Sequence, residues 1–388
     1  MSERPEQALR DAVRPALVVF LGVRVAVFVL AAIAVGVITP QVGVDVPGWP
    51  APLLGHGWHG AFAALERQDA LWFLRIAASG YRAADGSAAF FPLYPLVIRI
   101  VSWIVGGRPL LAATLVSNGA FFGSLVVLYD LTVREFDDAI ARRTILYLAI
   151  FPTAFFFLAP YSESLFLLLS LLAFREARRD RWVGAALSGV LAALTRSIGV
   201  MLAPALIAMA IERSRADGRS PWSRMAAGTS VLLAPITYLV WWSAANGDAF
   251  APFVAQANWQ REATFPLLTL WRAAAMALGA MGSTDPAYWI IDLVVAGVVI
   301  LAVVIGWRRI PFPYLLYAGG SLLLPLCYPF PSRPLLSMPR FVAVLFPAFW
   351  VMADATEQRK IPHTAVVATF AAGLALLATL FMNWWYIF

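Results

Sequence analysis

The sequence predicts an all-α, polytopic integral membrane protein. Of its 388 residues 61% are hydrophobic and only 13% are charged. Apolar runs of membrane-crossing length recur from end to end. A soluble domain carries about a quarter charged residues, and a ~30 Å hydrocarbon core asks for about 20 apolar residues per helix. The mean hydropathy of +0.76 agrees. A net charge of +7 does not point to nucleic acid, because the basic residues fall in short clusters between apolar runs, as they do in cytoplasmic loops. Cys327 is the sole cysteine, which excludes an intrachain disulfide and a thiolate metal cluster. Lys360 is the sole lysine, and the bias to Arg and Ala suggests a GC-rich bacterial genome, hence a bacterial plasma membrane. The polar start, "MSERPEQALRDAVR", lacks a small-residue cleavage site after the first apolar run, which reads as a retained anchor.

The apolar segments run at about 15–38, 110–133, 143–159, 163–176, 182–195, 198–212, 224–245, 287–306, 313–329, 339–354 and 362–383. Charge decides how they cross. The clusters Arg134/Arg142/Arg143, Arg175/Arg178/Arg179/Arg181, Arg213/Arg215/Arg219/Arg224, Arg308/Arg309 and Arg359/Lys360 belong in the cytoplasm. The chain must then turn at "APYSES" and at "TRSIG", which leaves Arg196 on the far side. The count is about eleven spans, N-terminus inside, C-terminus outside, ending in the interfacial "NWWYIF". Residues 90–107 are broken by Pro92 and Pro95 and carry Arg99, so they suit a half-inserted or interfacial helix better than a span. No repeat or linker is evident, so residues 1–388 form one membrane domain with external loops at 39–109, 246–286 and 330–339.

Those external loops hold most of the polar material outside the arginine clusters. In "RQDALWFLRIAASGYR", residues 67–82, helical spacing puts Leu65, Asp69, Trp72 and Ile76 on one stripe and Arg67, Arg75 and Arg82 on another. The stretch reads as an amphipathic interfacial helix with Gly80 as its C-cap. Two readings of Asp69 fit equally: a helix N-cap, or a carboxylate in a partly dry cleft acting as general base. Glu66 reads as solvated. Arg196, Arg333 and Arg340 break the positive-inside pattern, and arginines there either snorkel to headgroups or pair with a phosphate. "GHGWHG", with His56 and His59, has metal-like spacing but no third ligand. Glu163 is either a second carboxylate of the site or the acid at a helix start. Asn118 suits interhelical hydrogen bonding. Gln256 and Trp259, in "QANWQRE", are residue types that bind sugars.

The stretches "QDALWFLRIAASGYR", "FFPLYPLVIR", "SNGAFFGSLVVLYDL", "FPTAFFFLAPYSESLFLLLSLLAF", "LAALTRSIGV" and "MPRFVAVLFPAFW" occur in family order. Together, over about residues 65–350, the chain resembles the mannosyltransferases typified by the enzyme that adds the second mannose of the glycosylphosphatidylinositol anchor, with their bacterial relatives. That family belongs to the GT-C glycosyltransferase superfamily. The resemblance implies an inverting transferase whose donor is polyprenyl-phosphate mannose, with the catalytic acid of the first external loop at Asp69. It carries the "TRS" and "MPR" arginines to Arg196 and Arg340, with Arg333 nearby in sequence as a third phosphate candidate. The FFPLYPL and PYSES blocks make Tyr94, Tyr161, Ser162 and Glu163 substrate-binding candidates. One departure is Gln68, where the family commonly has Trp.

The implied scheme is as follows: Asp69 takes the proton of an acceptor hydroxyl as it attacks the anomeric carbon, and the arginines neutralise the departing polyprenyl phosphate. A β-linked donor then gives an α-mannoside. The scheme requires no cofactor or metal. Its partners are a lipid-linked sugar donor, an extracytoplasmic glycan or glycolipid acceptor, and membrane lipid. A lipid-linked-sugar flippase is the rival from another class, using the same arginines without a base. Protein O-mannosylation and aminoarabinose transfer are the rivals within the superfamily. Enzymes with those activities carry an Asp-Glu pair where this chain has Asp69–Ala70.

Overall fold

The first apolar run folds into α1 (Pro5–Val37), 33 residues long. The computed structural model to which it belongs describes residues 5–41, 43, 45–49, 57–82, 85–258, 261–280 and 288–385. In the first loop follow α2 (Gly57–Ala63), α3 (Asp69–Ser79) and α4 (Leu93–Ile104). The long α5 (Pro109–Glu135) opens on proline, whose missing N–H costs nothing at a helix start. Asp137 caps α6 (Asp138–Ile150), its carboxylate accepting from the Ile140 N–H at 2.8 Å. The middle of the chain forms α7 (Glu163–Arg178), α8 (Trp182–Thr195), α9 (Leu202–Asp217), α10 (Trp222–Thr229) and α11 (Leu233–Asn246). The remainder forms α12 (Ala251–Asn258), α13 (Pro266–Ala280), α14 (Tyr288–Gly306), α15 (Phe312–Cys327), α16 (Met338–Ala343), α17 (Phe346–Glu357) and α18 (His363–Met382).

Every expected apolar segment is helical, and no strand occurs among the described residues beyond two isolated bridges. Among the described residues, six helical stretches are long and apolar enough to cross a membrane: Arg10–Val37, Pro109–Glu135, Ser197–Asp217, Trp222–Asn246, Trp289–Gly306 and His363–Met382. Shorter apolar helices accompany them, and prolines explain several breaks. The 143–159 run stops being α-helical at Ile150, just before Pro152, and resumes as a 3-10 turn at Ala154–Phe157. The 339–354 run divides into α16 and α17 at Leu345, ahead of Pro347. Pro235 follows the 3-10 turn Ser230–Leu232 that separates α10 from α11. Helix α7 packs against α5, α8 and α9.

The 246–286 stretch carries helices of its own, and its α13 packs on α14 and α15. Two expectations are corrected. First, α3 is not a helix with one open polar face. Its Ala70, Leu71, Phe73, Leu74, Arg75, Ile76 and Ala77 are all buried, so the helix is enclosed. Two arginines of the expected polar stripe, Arg67 and Arg75, turn inward because the protein supplies their acceptors, while Arg82 stays exposed. Arg67 donates to the carbonyls of Met382, Ala63 and Glu66, each at 2.9 Å. Arg75 donates to Pro47 and Gly80 and pairs with Asp85. Second, Glu66 is buried rather than solvated, with the Trp49 indole donating to it at 3.4 Å. Burial pushes the Glu66 carboxyl above the usual carboxylate range and brings the Arg67 guanidinium down to about 10. Gly80 does close α3, at φ 78°. Helix α4, 12 residues long, is too short to cross alone and leaves Trp103 and Ile104 exposed, as a half-inserted helix should.

The arginine clusters assigned to one side do gather at one end of the bundle. Buried Asp130 accepts from Arg134, Arg175 and Arg179 at 3.0, 2.8 and 3.3 Å. Glu135 holds Arg178 and the Tyr314 hydroxyl, and Arg224 bridges Asp180 and Asp217. Arg143 pairs with Glu357, and Arg309 with Asp354. Removing one partner of a buried pair strands the other charges, at about 3–5 kcal/mol. Asp130→Ala is therefore expected to lower the melting midpoint of the purified protein far more than Asp138→Ala, which removes the exposed Asp138–Arg142 pair. Equal shifts would show that the Asp130 hub contributes nothing special.

Candidate active site

The other end of α7 begins with Glu163, twelve residues and about 18 Å from Arg175. Glu163 is fully buried. Its Oε1 accepts from Arg196 Nη1 at 2.5 Å and from Arg340 Nε. Arg340 extends the chain of charge, donating from Nη1 to Asp69 Oδ2 at 2.5 Å. Arg196 Nη1 also reaches Ser162 Oγ at 3.2 Å. Two carboxylates and two guanidiniums thus form one balanced cluster, drawn from α3, α7, the α8–α9 turn and α16. Asp69 is its most open member, with 25% of its side chain exposed against 0% for Glu163.

Local backbone geometry aims each of these groups. Asp69 is the first residue of α3, and its side chain caps nothing; the cap position belongs to Gln68, which makes no side-chain cap bond. Gln68 has φ 54° and ψ −122°, a conformation costly for a residue with a Cβ. The neighbouring Arg67 carbonyl accepts from the Tyr161 hydroxyl at 2.9 Å. The Tyr161 ring lies 4.8 Å below the Arg340 guanidinium, so one side chain steadies both the turn before Asp69 and the arginine. Arg196 sits in extended backbone where α8 ends, followed by a 3-10 turn, Ser197–Met201. That turn lies so close to α8 that a Cβ on Gly199 would come within 2.5 Å of the Ala193 Cα. Arg340 lies on α16, which is entered through Ser337 at φ 66°.

Each guanidinium keeps donors in hand. The Arg196 and Arg340 bonds use Nη1 and, for Arg340, Nε. Nη2 of each takes no partner among the described residues. Free guanidinium N–H groups beside a half-open carboxylate suit a phosphate-bearing substrate and a second substrate whose hydroxyl must lose a proton as it attacks.

The expected residues thus divide. Asp69, Tyr161, Ser162, Glu163, Arg196 and Arg340 come together. Tyr94 lies behind them, its hydroxyl 2.7 Å from Ser117 Oγ, which donates to the Tyr161 carbonyl. It supports the site from a fully buried position. The ion pair of Arg333 is with Asp292 of α14, at 2.6 Å. Asn118 joins α5 to the 3-10 turn before α7, donating to Leu158 O at 3.1 Å. Trp259, His56 and the side chains of Gln256 and His59 lie outside the described residues. No group of three metal-ligating side chains occurs among the described residues. One residue escaped the sequence reading. Arg261, from the same "QANWQRE" stretch, lies 5.8 Å from the Phe341 ring, which Arg196 approaches at 5.7 Å. An arginine in a loop already suspected of sugar binding was the available signal.

A family model described as mannosyltransferase (PIG-V) matches residues 17–215, just over half of the chain. The chain belongs to the PIG-V mannosyltransferase family. The matched region holds Asp69, Tyr94, Tyr161, Ser162, Glu163 and Arg196, whereas Arg333 and Arg340 lie beyond it. GPI mannosyltransferase 2 of Drosophila pseudoobscura pseudoobscura is 32% identical over 145 residues, covering 33% of this chain and 32% of that protein. The chain therefore matches about a third of that relative's length. Among solved structures, ArnT from Cupriavidus metallidurans bound to undecaprenyl phosphate superposes with a TM-score of 0.51 at 14% identity. The superposition covers 96% of this chain and 76% of ArnT, and shows that this PIG-V-family protein has the GT-C fold. With six membrane-length apolar helices it is an integral membrane protein.

Tyr161 touches both the backbone beside Asp69 and the Arg340 guanidinium, which suits a positioning role. Tyr161→Phe keeps the ring under Arg340 and loses only the bond to the Arg67 carbonyl, a net cost of about 1 kcal/mol. We expect nearly unchanged melting and about a tenfold slower sugar transfer, because the loop carrying Asp69 loosens. Wild-type turnover in the variant would remove Tyr161 from this role.

Proposed function

We propose that this chain is an inverting α-mannosyltransferase that moves mannose from polyprenyl-phosphate mannose to an extracytoplasmic glycan or lipoglycan. The observation that carries the reading is the pair of guanidiniums held on Glu163, each with a free Nη2, beside half-open Asp69. The donor and the sugar are taken from the family. The GT-C fold shared with a protein bound to undecaprenyl phosphate supports a lipid-linked donor.

In this reaction the acceptor hydroxyl attacks the anomeric carbon from the face opposite the phosphate. Asp69 accepts its proton, the new glycosidic bond forms, and the bond to the phosphate oxygen breaks with both electrons leaving on the phosphate. Arg196 and Arg340 stabilise the negative charge as it grows there, in a site where water is largely excluded. A phosphate is already a good leaving group, so no second protein acid is needed. Displacement of a β-linked donor yields an α-mannoside. Arg333 is assigned to the phosphate path less directly, through its position on the 328–337 loop leading to Arg340.

The side of the membrane follows from charge. The Asp130, Glu135 and Arg224 networks gather the basic clusters at the end of α7 opposite Glu163. Positive-inside placement of that end supports an active site on the extracytoplasmic face, and the arginine bias supports a bacterial plasma membrane.

The test is incubation of membranes carrying wild type or Asp69→Asn with labelled polyprenyl-phosphate mannose, followed by label in glycan and lipoglycan fractions. Loss of a positioned base costs about 10²- to 10⁴-fold. We expect transfer to fall by that factor while donor binding holds within a few-fold. Wild-type transfer by Asp69→Asn contradicts the base assignment. Movement of labelled donor across the bilayer, unaffected by the substitution and without product, identifies a flippase instead.

A further inference from the structure

Arg24 is the charged side chain that the ion cluster does not account for. It interrupts the apolar Arg10–Val37 stretch of α1. Its helix neighbours Leu21, Val25 and Val29 are about half exposed, as on a lipid-facing surface. The other arginines set into the bundle have partners: Arg67 on carbonyls, Arg175 on Asp130, Arg340 on Asp69 and Glu163. Arg24 is half-buried and has neither ion pair nor hydrogen bond among the described residues. A guanidinium at membrane depth is costly unless it faces an anion or a polar cavity, so an unpaired one marks a missing partner.

Its surroundings say what kind. Arg24 lines a small cavity with Leu65, Thr114, Leu158 and Pro160. The carbonyls of Thr114 and Leu158 beside it accept from Asn118 Nδ2 at 2.7 and 3.1 Å, and Asn118 Oδ1 is a buried acceptor without a partner among the described residues, yet no protein carboxylate answers Arg24. The cavity holds only about 10 Å³, so a ligand must meet Arg24 at its mouth. At that mouth the rings of Phe28 and Phe62 lie 5.1 Å apart, and Phe62 is 61% exposed. An anionic head with an apolar tail matches that combination.

We propose that Arg24 binds a phosphate group carried on a membrane lipid, at a site separate from the Arg196–Arg340 pair. The guanidinium engages the phosphate with two parallel N–H bonds, and Phe28 and Phe62 cover the start of the tail. Two sources share that chemistry, a polyprenyl phosphate and a bilayer phospholipid.

Native mass spectrometry of the purified full chain tests the site with undecaprenyl phosphate, phosphatidylglycerol and inorganic phosphate as probes. The readout needs no transfer, so the site stands or falls apart from the proposed reaction. Arg24→Gln is expected to weaken one lipid probe at least tenfold, Arg24→Lys to weaken it less, and inorganic phosphate to be unaffected. The lipid that falls names the source. Unchanged affinity for both lipids in Arg24→Gln that melts with wild type overturns the proposal, as does a loss confined to inorganic phosphate. Should Arg24→Gln not fold, exposed Phe62→Ala carries the test: several-fold weaker lipid binding supports the site, and none overturns it.

Discussion

A carboxylate removed entirely from solvent must be neutralised where it stands, and Glu163 imposes that demand at the start of α7. Leaving it unpaired would cost several kcal/mol. One of its oxygens is answered by two guanidiniums from opposite parts of the chain, 33 and 177 residues away. Satisfying Glu163 therefore fixes where Arg196 and Arg340 lie relative to each other. Arg340 in turn holds Asp69. Four segments remote in sequence converge because one buried charge requires them to.

The same helix is tied down at its other end by a second hub of the same kind, a buried carboxylate that gathers arginines. Asp130 gathers three arginines at the basic end, while Glu163 gathers two at the site end. Helix α7 thus acts as a strut of fixed length between two electrostatic knots. At the site end the knot leaves N–H donors unspent, and at the basic end it closes acids against loops. Aromatic side chains complete the site-end knot: Tyr161 and Phe156 lie 4.8 and 5.3 Å from Arg340, and Phe341 lies 5.7 Å from Arg196. These contacts limit how far the arginines can swing.

Much of this was readable from the residues, for identifiable reasons. Apolar runs and charge clusters depend on composition over a window, so the helices and the gathering of basic clusters emerged directly. Asp69, Arg196 and Arg340 stood out because each is a charge where the local pattern disfavours one. Periodicity misled at α3, since a stripe of arginines says nothing about whether backbone carbonyls wait inside to receive it. Arg67 and Arg75 found such carbonyls. The double role of Glu163 was invisible, because "helix-start acid" and "site carboxylate" are distinguished only by partners far away in sequence. Arg24 was visible as a lone charge in an apolar run and passed over, since an arginine inside a span looks like noise until its lack of partners is known.

If Glu163 acts by holding two arginines for one phosphate, removing it and removing Arg340 should injure the same unit. The direct measurement is a double-mutant cycle between Glu163→Gln and Arg340→Gln, read in the KM for polyprenyl-phosphate mannose. Residues that share one network couple by about 0.5–3 kcal/mol. The account predicts that each single substitution raises KM and that the double variant is no worse than the more damaged single. Losses that simply multiply would mean that Glu163 and Arg340 act independently, and would contradict the account.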